Sequence, residues 1–342
     1  MVLNVRPSYT FDDVLLVPKF SAINSRKDVD VSVDLGKGVE LGIPIVSANM
    51  KNVTGPEMCL KIAELGGLSI LHRFFNNPLV DQINIFKSCI EKHKSYENHV
   101  GVSIGVQSHD LDFVGIYVDN GIKIICLDIA HGHSQTAIDL ITKIKSKYPK
   151  VFLIAGNVAT PSGFCALAKA GADVVKINIG AGSSCLTRIE TGNGVPQLTA
   201  LSDCYEAMNH YYPNVRIIAD GACKNTADVV KSLCFSNAVM LGNMLAGSNE
   251  APGELINIDG KTYKSYAGSS TLKKENVEGV SGFVPTKGPV EGVVNKILQG
   301  LRSGCSYQGV NNLVDLRKDP QFSLMSNNGL VESRAHDIHI TK

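Results

Sequence analysis

The chain has 342 residues, 44% of them hydrophobic, with 32 glycines, which is enough for one large α/β domain or two small ones. Lys and Arg total 33 against 32 Asp and Glu, so no global basic field recruits nucleic acid or anionic lipid, and any anionic ligand must be held locally. The first seven residues lack the apolar stretch of a secretion signal, no run approaches a membrane span, and the nine cysteines form no CxxC pair; together these features point to a cytoplasmic protein with reduced thiols.

In chain order, residues 8–18 read as a capped, apolar entry segment, and a polar stretch follows to about Gly42. From there apolar runs recur at 43–48, 68–72, 100–106, 122–129, 151–158, 174–180, 215–220 and 238–242, each short enough for a buried parallel strand. Helical patterns fall between them at 56–65, 78–93, 111–120, 134–148, 161–170, 197–211 and 225–235, with a last one at 289–302. Eight βα units predict a (β/α)₈ TIM barrel spanning residues 1–342 as a single domain, and no G-x-G-x-x-G follows the first strand to suggest a dinucleotide-binding half instead. After the eighth strand the periodicity breaks. Residues 253–268 read as a hairpin turning at Asp259-Gly260, and 269–287 as polar and irregular, so 253–288 becomes a lid-like insertion between strand 8 and helix 8 at the catalytic face. The tail, 321–342, reads as either mobile or docked on a neighbouring subunit.

Barrel enzymes gather their chemistry at the carboxyl ends of the strands, so the residues ending each run can be collected from sequence alone. They are Asn49, His72-Arg73, Asp128 with His131-Gly132-His133, Asn157, Ser183 with Cys185 and Thr187, Asp220-Gly221, and Gly242-Asn243. The sharpest signal is the loop from Gly180 to Arg188. A strand stops in small residues, and a cysteine follows with a hydroxyl two positions on and an arginine three positions on, which is how a reactive thiol is presented; Arg188 and the local amides are expected to favour thiolate. A buried structural cysteine is the alternative. The turns at Asp220-Gly221 and Gly242-Asn243 match the phosphate site of barrels, and Asp220 suits either the two hydroxyls of a ribose or a helix cap. His131 and His133 read as a polar turn or a metal pair without a third ligand. Glu278 is either a solvated loop carboxylate or an acid carried over the nucleophile by the lid.

The cysteine loop, with residues 10–18, Ala155-Gly156-Asn157-Val158, Asp220-Gly221 and Glu278-Gly279 leading to Val284-Pro285-Thr286-Lys287-Gly288, resembles the IMP dehydrogenase/GMP reductase family over nearly the whole chain. The resemblance implies a homotetrameric barrel that binds a purine mononucleotide, with Cys185 attacking the second purine carbon and a nicotinamide cofactor exchanging hydride there. It implies phosphate and ribose contacts from Ser183, Asp220, Gly221, the Gly242-Asn243 turn and Tyr266, with Asn49, Ala222, Gly268 and Ser269 also on the substrate side. Asp128, Ala130, His131 and Asn157 border the cofactor, and a monovalent cation, K+, is implied on the backbone of Gly180, Gly182 and Cys185. Within the family the chain is more similar to the reductases. Only residues 92–99 stand where dehydrogenases carry a CBS pair, no Arg-Tyr dipeptide occurs anywhere, and Thr187 with Glu278 fits the pair that serves ammonia loss. The expected reaction is NADPH-dependent reductive deamination of GMP to IMP. An NAD-dependent IMP dehydrogenase without CBS domains, or a catalytically silent purine-nucleotide sensor, are the alternatives. Asn178, Ala181, Ala222 and Ala267 depart from the family pattern, Ala222 standing where a second glycine is usual.

Overall fold

The computed structural model describes residues 5–268 and 277–335. Eight parallel strands close into a barrel, β1 (Ile45–Ser47), β2 (Leu68–Leu71), β3 (Val100–Ile104), β4 (Ile124–Asp128), β5 (Phe152–Val158), β6 (Val174–Ile177), β7 (Arg216–Asp220) and β8 (Ala238–Leu241), with β8 returning to β1. The eight apolar runs are therefore the eight barrel strands, and almost every residue in them is buried because the barrel interior covers one face and the helices cover the other.

The helices begin where local chemistry starts them. α1 (Pro56–Glu64), α2 (Pro78–Lys92) and α5 (Pro161–Ala170) each open on a proline that needs no donor, and Asn77 and Thr160 cap the second and third of these through their side chains. Ser134 caps α4 (Gln135–Lys147) and Asn225 caps α7 (Thr226–Leu233) in the same way, while α3 (Asp110–Asp119) and α6 (Gln197–Tyr211) lack a side-chain cap. α8 (Val290–Tyr307) takes its cap from a distance, the Val290 amide donating to the Glu250 carboxylate at 2.8 Å. Among the described residues no helix is long and apolar enough to cross a membrane.

The amino-terminal mouth of the barrel is closed by a small hairpin, Val33–Asp34 against Glu40–Leu41, whose Leu35, Val39 and Leu41 are buried. Lys37 at its turn pairs at 2.7 Å with Asp173, the residue that leads into β6. The site therefore opens at the other end.

The insertion is more regular than its sequence suggests. β9 (Leu255–Ile258) and β10 (Lys261–Ala267) form the expected hairpin, with Asp259 and Gly260 both at positive φ, 50° and 76°, as a two-residue turn of matching twist requires. A third strand, β11 (Ser281–Pro285), then pairs antiparallel with β10 over a stretch read from sequence as irregular. Lys264 anchors this sheet: its buried ammonium donates to the carbonyls of Ser248, Asn249 and Ala251 at 2.9, 3.0 and 2.7 Å. Neither reading of the tail describes its beginning. Phe322–Leu324 pairs antiparallel with Val14–Leu16 of the same chain, and the short helix Asn327–Glu332 follows. The entry segment thus gains a partner from the far end of the sequence.

Candidate active site

A cavity of about 470 Å³ opens over the carboxyl ends of the strands. It brings together Asn49, Asp128, Ala130, Asn157, Gly180, Gly182, Ser183, Cys185, Thr187, Asp220, Gly221, Ala222, Gly242, Asn243, Tyr266, Gly268 and Glu278, residues drawn from all parts of the chain. Of the expected site residues, His131 is exposed and is not part of this wall; its ring meets His133 edge-on, 6.3 Å between centroids. Ser269 lies outside the described residues.

The cysteine loop leaves β6 at Asn178, whose side chain ties two loops together: its amide donates to the Asp220 carbonyl and its oxygen accepts from the Ala181 amide at 2.9 Å. Gly180 turns at φ 79°, and a β-carbon there would lie 2.5 Å from Arg188 Cγ, so the turn and the packing both require glycine. Arg188 braces this loop, donating to the carbonyls of Ile179 at 3.2 Å and Val195 at 2.5 Å. Its guanidinium is engaged by backbone carbonyls rather than hydrogen-bonded to the thiol. The partner of the thiol is Thr187: Cys185 Sγ donates to Thr187 Oγ1 at 3.1 Å, and Thr187 Oγ1 donates to Glu278 Oε2 at 2.7 Å.

Glu278 reaches this position because the insertion is joined to the cysteine loop through backbone. Leu186 donates to the Glu278 carbonyl at 2.8 Å and Val280 to the Ser184 carbonyl at 3.0 Å, an antiparallel bridge with Gly279 opposite Cys185. Alternation in that bridge fixes which way the neighbouring side chains face. Tyr266, on β10, is buried against Met50, and burial raises its phenol above the ordinary range. Gly242 leaves room for both, since a β-carbon would sit 3.1 Å from Met50 Sδ and 3.3 Å from the Tyr266 hydroxyl.

Two further features have no counterpart in the collected strand ends. Lys176 lies fully buried in β6 between Asp128 and Asp220, and an ammonium inside an apolar strand was itself the available sequence signal. The side-chain bridge of Asn178 was visible only as a departure from pattern. His72 proves to be a core residue, 3% exposed, accepting from the Phe74 amide at 3.1 Å and stacked on Phe75; burial, aided by Lys51, lowers its pKa to about 4.

Ala222 occupies the left-handed region at φ 63°, next to Gly221 at φ 76°. The family's glycine at this place is thus a backbone requirement that alanine meets at a cost of about 1–2 kcal/mol, against about 0.5–1 kcal/mol of chain entropy that glycine would lose on folding. Ala222→Gly should therefore raise the thermal midpoint slightly, by the equivalent of about 0.5–1 kcal/mol. A lower midpoint would show that the methyl contributes packing that outweighs the strain.

Among the described residues, two buried polar atoms in or beside the wall have no hydrogen-bond partner, Arg73 Nε and Asn157 Oδ1, while the Asn49 amide faces the Asp128 carboxylate. Orphaned groups of this kind are costly unless a ligand meets them, and a donor and an acceptor together suit a ligand carrying an amide.

Comparison with known proteins agrees with the geometry. The family model described as IMP dehydrogenase / GMP reductase domain matches residues 8–336. An inosine-5'-monophosphate dehydrogenase of Chlorobaculum parvum is 40% identical, with 97% of this chain and 96% of that protein covered. One from Aquifex aeolicus is 32% identical over 99% of this chain and 97% of its own length. A GMP reductase of Streptococcus pyogenes is 35% identical over 92% of this chain and 95% of its own. With a closed barrel, a strand-end cavity and a family match over nearly its full length, the chain belongs to the IMP dehydrogenase/GMP reductase family of oxidoreductases.

Proposed function

We propose that the chain is a GMP reductase, converting GMP, NADPH and two protons to IMP, ammonium and NADP through a covalent adduct on Cys185. The observation that carries this reading is the oriented relay from the Cys185 thiol through the Thr187 hydroxyl to the Glu278 carboxylate. A proton that leaves the thiol along this relay arrives on Glu278, producing a thiolate and a carboxylic acid together. The thiolate attacks the purine carbon that bears the amino group. As that carbon–nitrogen bond breaks, Glu278 returns the proton to nitrogen and ammonia leaves. Reduced nicotinamide supplies the hydride that the same carbon accepts, and the carbon–sulfur bond then breaks to restore Cys185. The orphaned atoms of Arg73 and Asn157 are suited to the carboxamide of that cofactor, and Asp128 stands beside them.

Hydrolysis of the adduct, the dehydrogenase outcome, needs a base for water, and the sequence contains no Arg-Tyr pair to provide it. Length supports the same choice only in part, since one dehydrogenase relative aligns over 397 positions with 98% of its own length covered and so carries a much shorter extra segment. The alignment to the Aquifex dehydrogenase spans 478 positions, more than this chain contains, so that relative carries a long segment without counterpart here, whereas the alignment to the reductase spans 323. The competing reading, an IMP dehydrogenase, is favoured by the higher identity of the Chlorobaculum protein. Absorbance at the nicotinamide band separates the two: loss of NADPH with GMP supports the reductase, while formation of NADH from IMP and NAD, with GMP inert, would replace it.

Asp220 is the residue we assign to the ribose. Its Oδ2 accepts from Asn157 at 2.8 Å and Lys176 at 3.2 Å, leaving Oδ1 for a ligand. Asp220→Ala should weaken GMP binding by about 2–4 kcal/mol, because hydrogen bonds to a charged acceptor contribute ~1.5–3 kcal/mol each and add incompletely. Lys176 keeps Asp128 as its partner, so the variant should fold. Unchanged calorimetric affinity would reduce Asp220 to a structural role.

A further inference from the structure

A single buried ammonium joins the two sides of the cavity. Lys176 is 0% exposed, and Gly156 on β5 leaves the space its stem fills: a β-carbon there would lie 2.7 Å from Lys176 Cβ. The ammonium donates to Asp128 Oδ1 at the end of β4 and, at 3.2 Å, to Asp220 Oδ2 at the end of β7. The remaining groups that act on this cluster are few. Asn157 donates to Asp220, the Asn49 amide and, more weakly, Arg73 stabilise the Asp128 carboxylate, and the Cys126 thiol on β4 is pushed up to about 12 by burial and stays neutral. Two carboxylates therefore share one full cation in the floor of the site. One carboxylate would neutralise a buried lysine; a second adds a buried charge that stability alone does not call for.

We propose that Lys176 is a positioning residue that keeps the nucleotide-side carboxylate, Asp220, and the cofactor-side carboxylate, Asp128, ionised at the same time, so that each subsite takes its ligand independently of the other. The identity of those two ligands rests on the GMP reductase reading.

The physical argument runs through the pair. Burial pushes the Asp128 carboxyl up, but attraction to and a hydrogen bond from Lys176, joined by Asn49 and Arg73, together hold Asp128 below its usual value; burial likewise pushes Lys176 down, and Asp128 and Asp220 more than reverse it. Removing the ammonium leaves burial and mutual repulsion, which favour a proton, opposed only by Asn49 and Arg73 at Asp128 and by Asn157 at Asp220, none of which is a full cation in contact with both carboxylates, so the two carboxylates would share one proton near neutral pH. A ligand that donates hydrogen bonds to one carboxylate then drives the shared proton onto the other, whose ligand loses an ionised acceptor. The two ligands become antagonists. As pH rises and the shared proton is lost, the antagonism should vanish.

GMP and oxidised NADP form a pair with no hydride to transfer, so the affinity for GMP can be measured calorimetrically with and without saturating NADP. In Lys176→Gln and Lys176→Met, NADP should weaken GMP binding at least about fivefold at pH 6 and leave it unaffected at pH 8.5, the lower end of ordinary coupling between sites. Wild type and Lys176→Arg should show the same ratio at both pH values, which cancels any titration of the ligand phosphates. Ligand-free Lys176→Gln should also show the infrared carbonyl band of a protonated carboxyl at pH 7, absent from wild type and lost again in the Lys176→Gln/Asp128→Asn double variant. Independent binding at both pH values with no such band would overturn the proposal, as would failure of both neutral variants to fold while Lys176→Arg folds, which is the behaviour of a residue needed for stability alone. If wild type binds neither ligand, the reductase reading fails, and the infrared band still decides the role of Lys176.

Discussion

Cys185→Ser protein should bind GMP with unchanged affinity and turn it over at least about 10³-fold more slowly, because a serine hydroxyl is almost wholly un-ionised near neutral pH and is a far weaker nucleophile than a thiolate. The hydroxyl can still donate to Thr187 Oγ1, which in wild type accepts from Cys185 Sγ at 3.1 Å, so the loop should keep its shape. Backbone bonds hold the loop in any case, from Cys185 N to the Gly182 carbonyl at 3.1 Å and from Leu186 N to Glu278. The measurement is steady-state loss of NADPH absorbance paired with calorimetry on GMP. Turnover within tenfold of wild type would remove Cys185 from the chemistry, and loss of GMP binding with activity would indicate a folding defect.

Glu278→Gln should cut GMP turnover by about 10²–10⁴-fold, the usual scale of a general acid–base contribution, with little change in GMP affinity. Glutamine preserves size and can still accept from the Thr187 hydroxyl, which lies 2.7 Å from Glu278 Oε2. It cannot carry a proton between thiol and leaving nitrogen. Thr187→Val interrupts the same relay at its middle, so its effect should have the same sign. Combining the two substitutions should cost little more than the worse of them, since groups that act in one relay are not additive. Full multiplication of the two losses would show that Thr187 and Glu278 serve separate steps. The lid itself should survive Glu278→Gln, because its attachment to the cysteine loop uses backbone amides and carbonyls.

Much of this arrangement is legible in the sequence because it is local. A short apolar run bounded by turn residues becomes a buried strand wherever helices follow it, and eight such runs with eight helical patterns leave a closed barrel as the consistent solution. Barrel geometry then converts chain order into a list of neighbours, which is why Asp128, Asn157, Cys185, Asp220 and Asn243 could be collected before any coordinate and are found around one cavity. The hairpin turn at Asp259-Gly260 is equally local, a matter of which residues tolerate positive φ.

What the sequence could not express are pairings between distant segments. β11 contains Gly282 and ends in Pro285, weak signals for a strand, and it forms because β10 offers it an edge. Phe322–Leu324 is too short to be read as a strand by itself and exists through Val14–Leu16, from the opposite end of the chain. Arg188 looked like an activator of the thiol because three positions separate them in sequence, yet the tight turn at Gly180 directs it to carbonyls. By itself, then, the sequence determined the barrel, the cysteine loop and the family, because periodicity, turn chemistry and motif spacing act over a few residues. Motif resemblance had already paired Thr187 with Glu278; only the tertiary structure decided that they meet in a direct hydrogen bond across a separation of 91 residues, and that one buried lysine stands between two carboxylates from different strands, contacts that depend on the register of the insertion and on barrel closure, which no local stretch encodes.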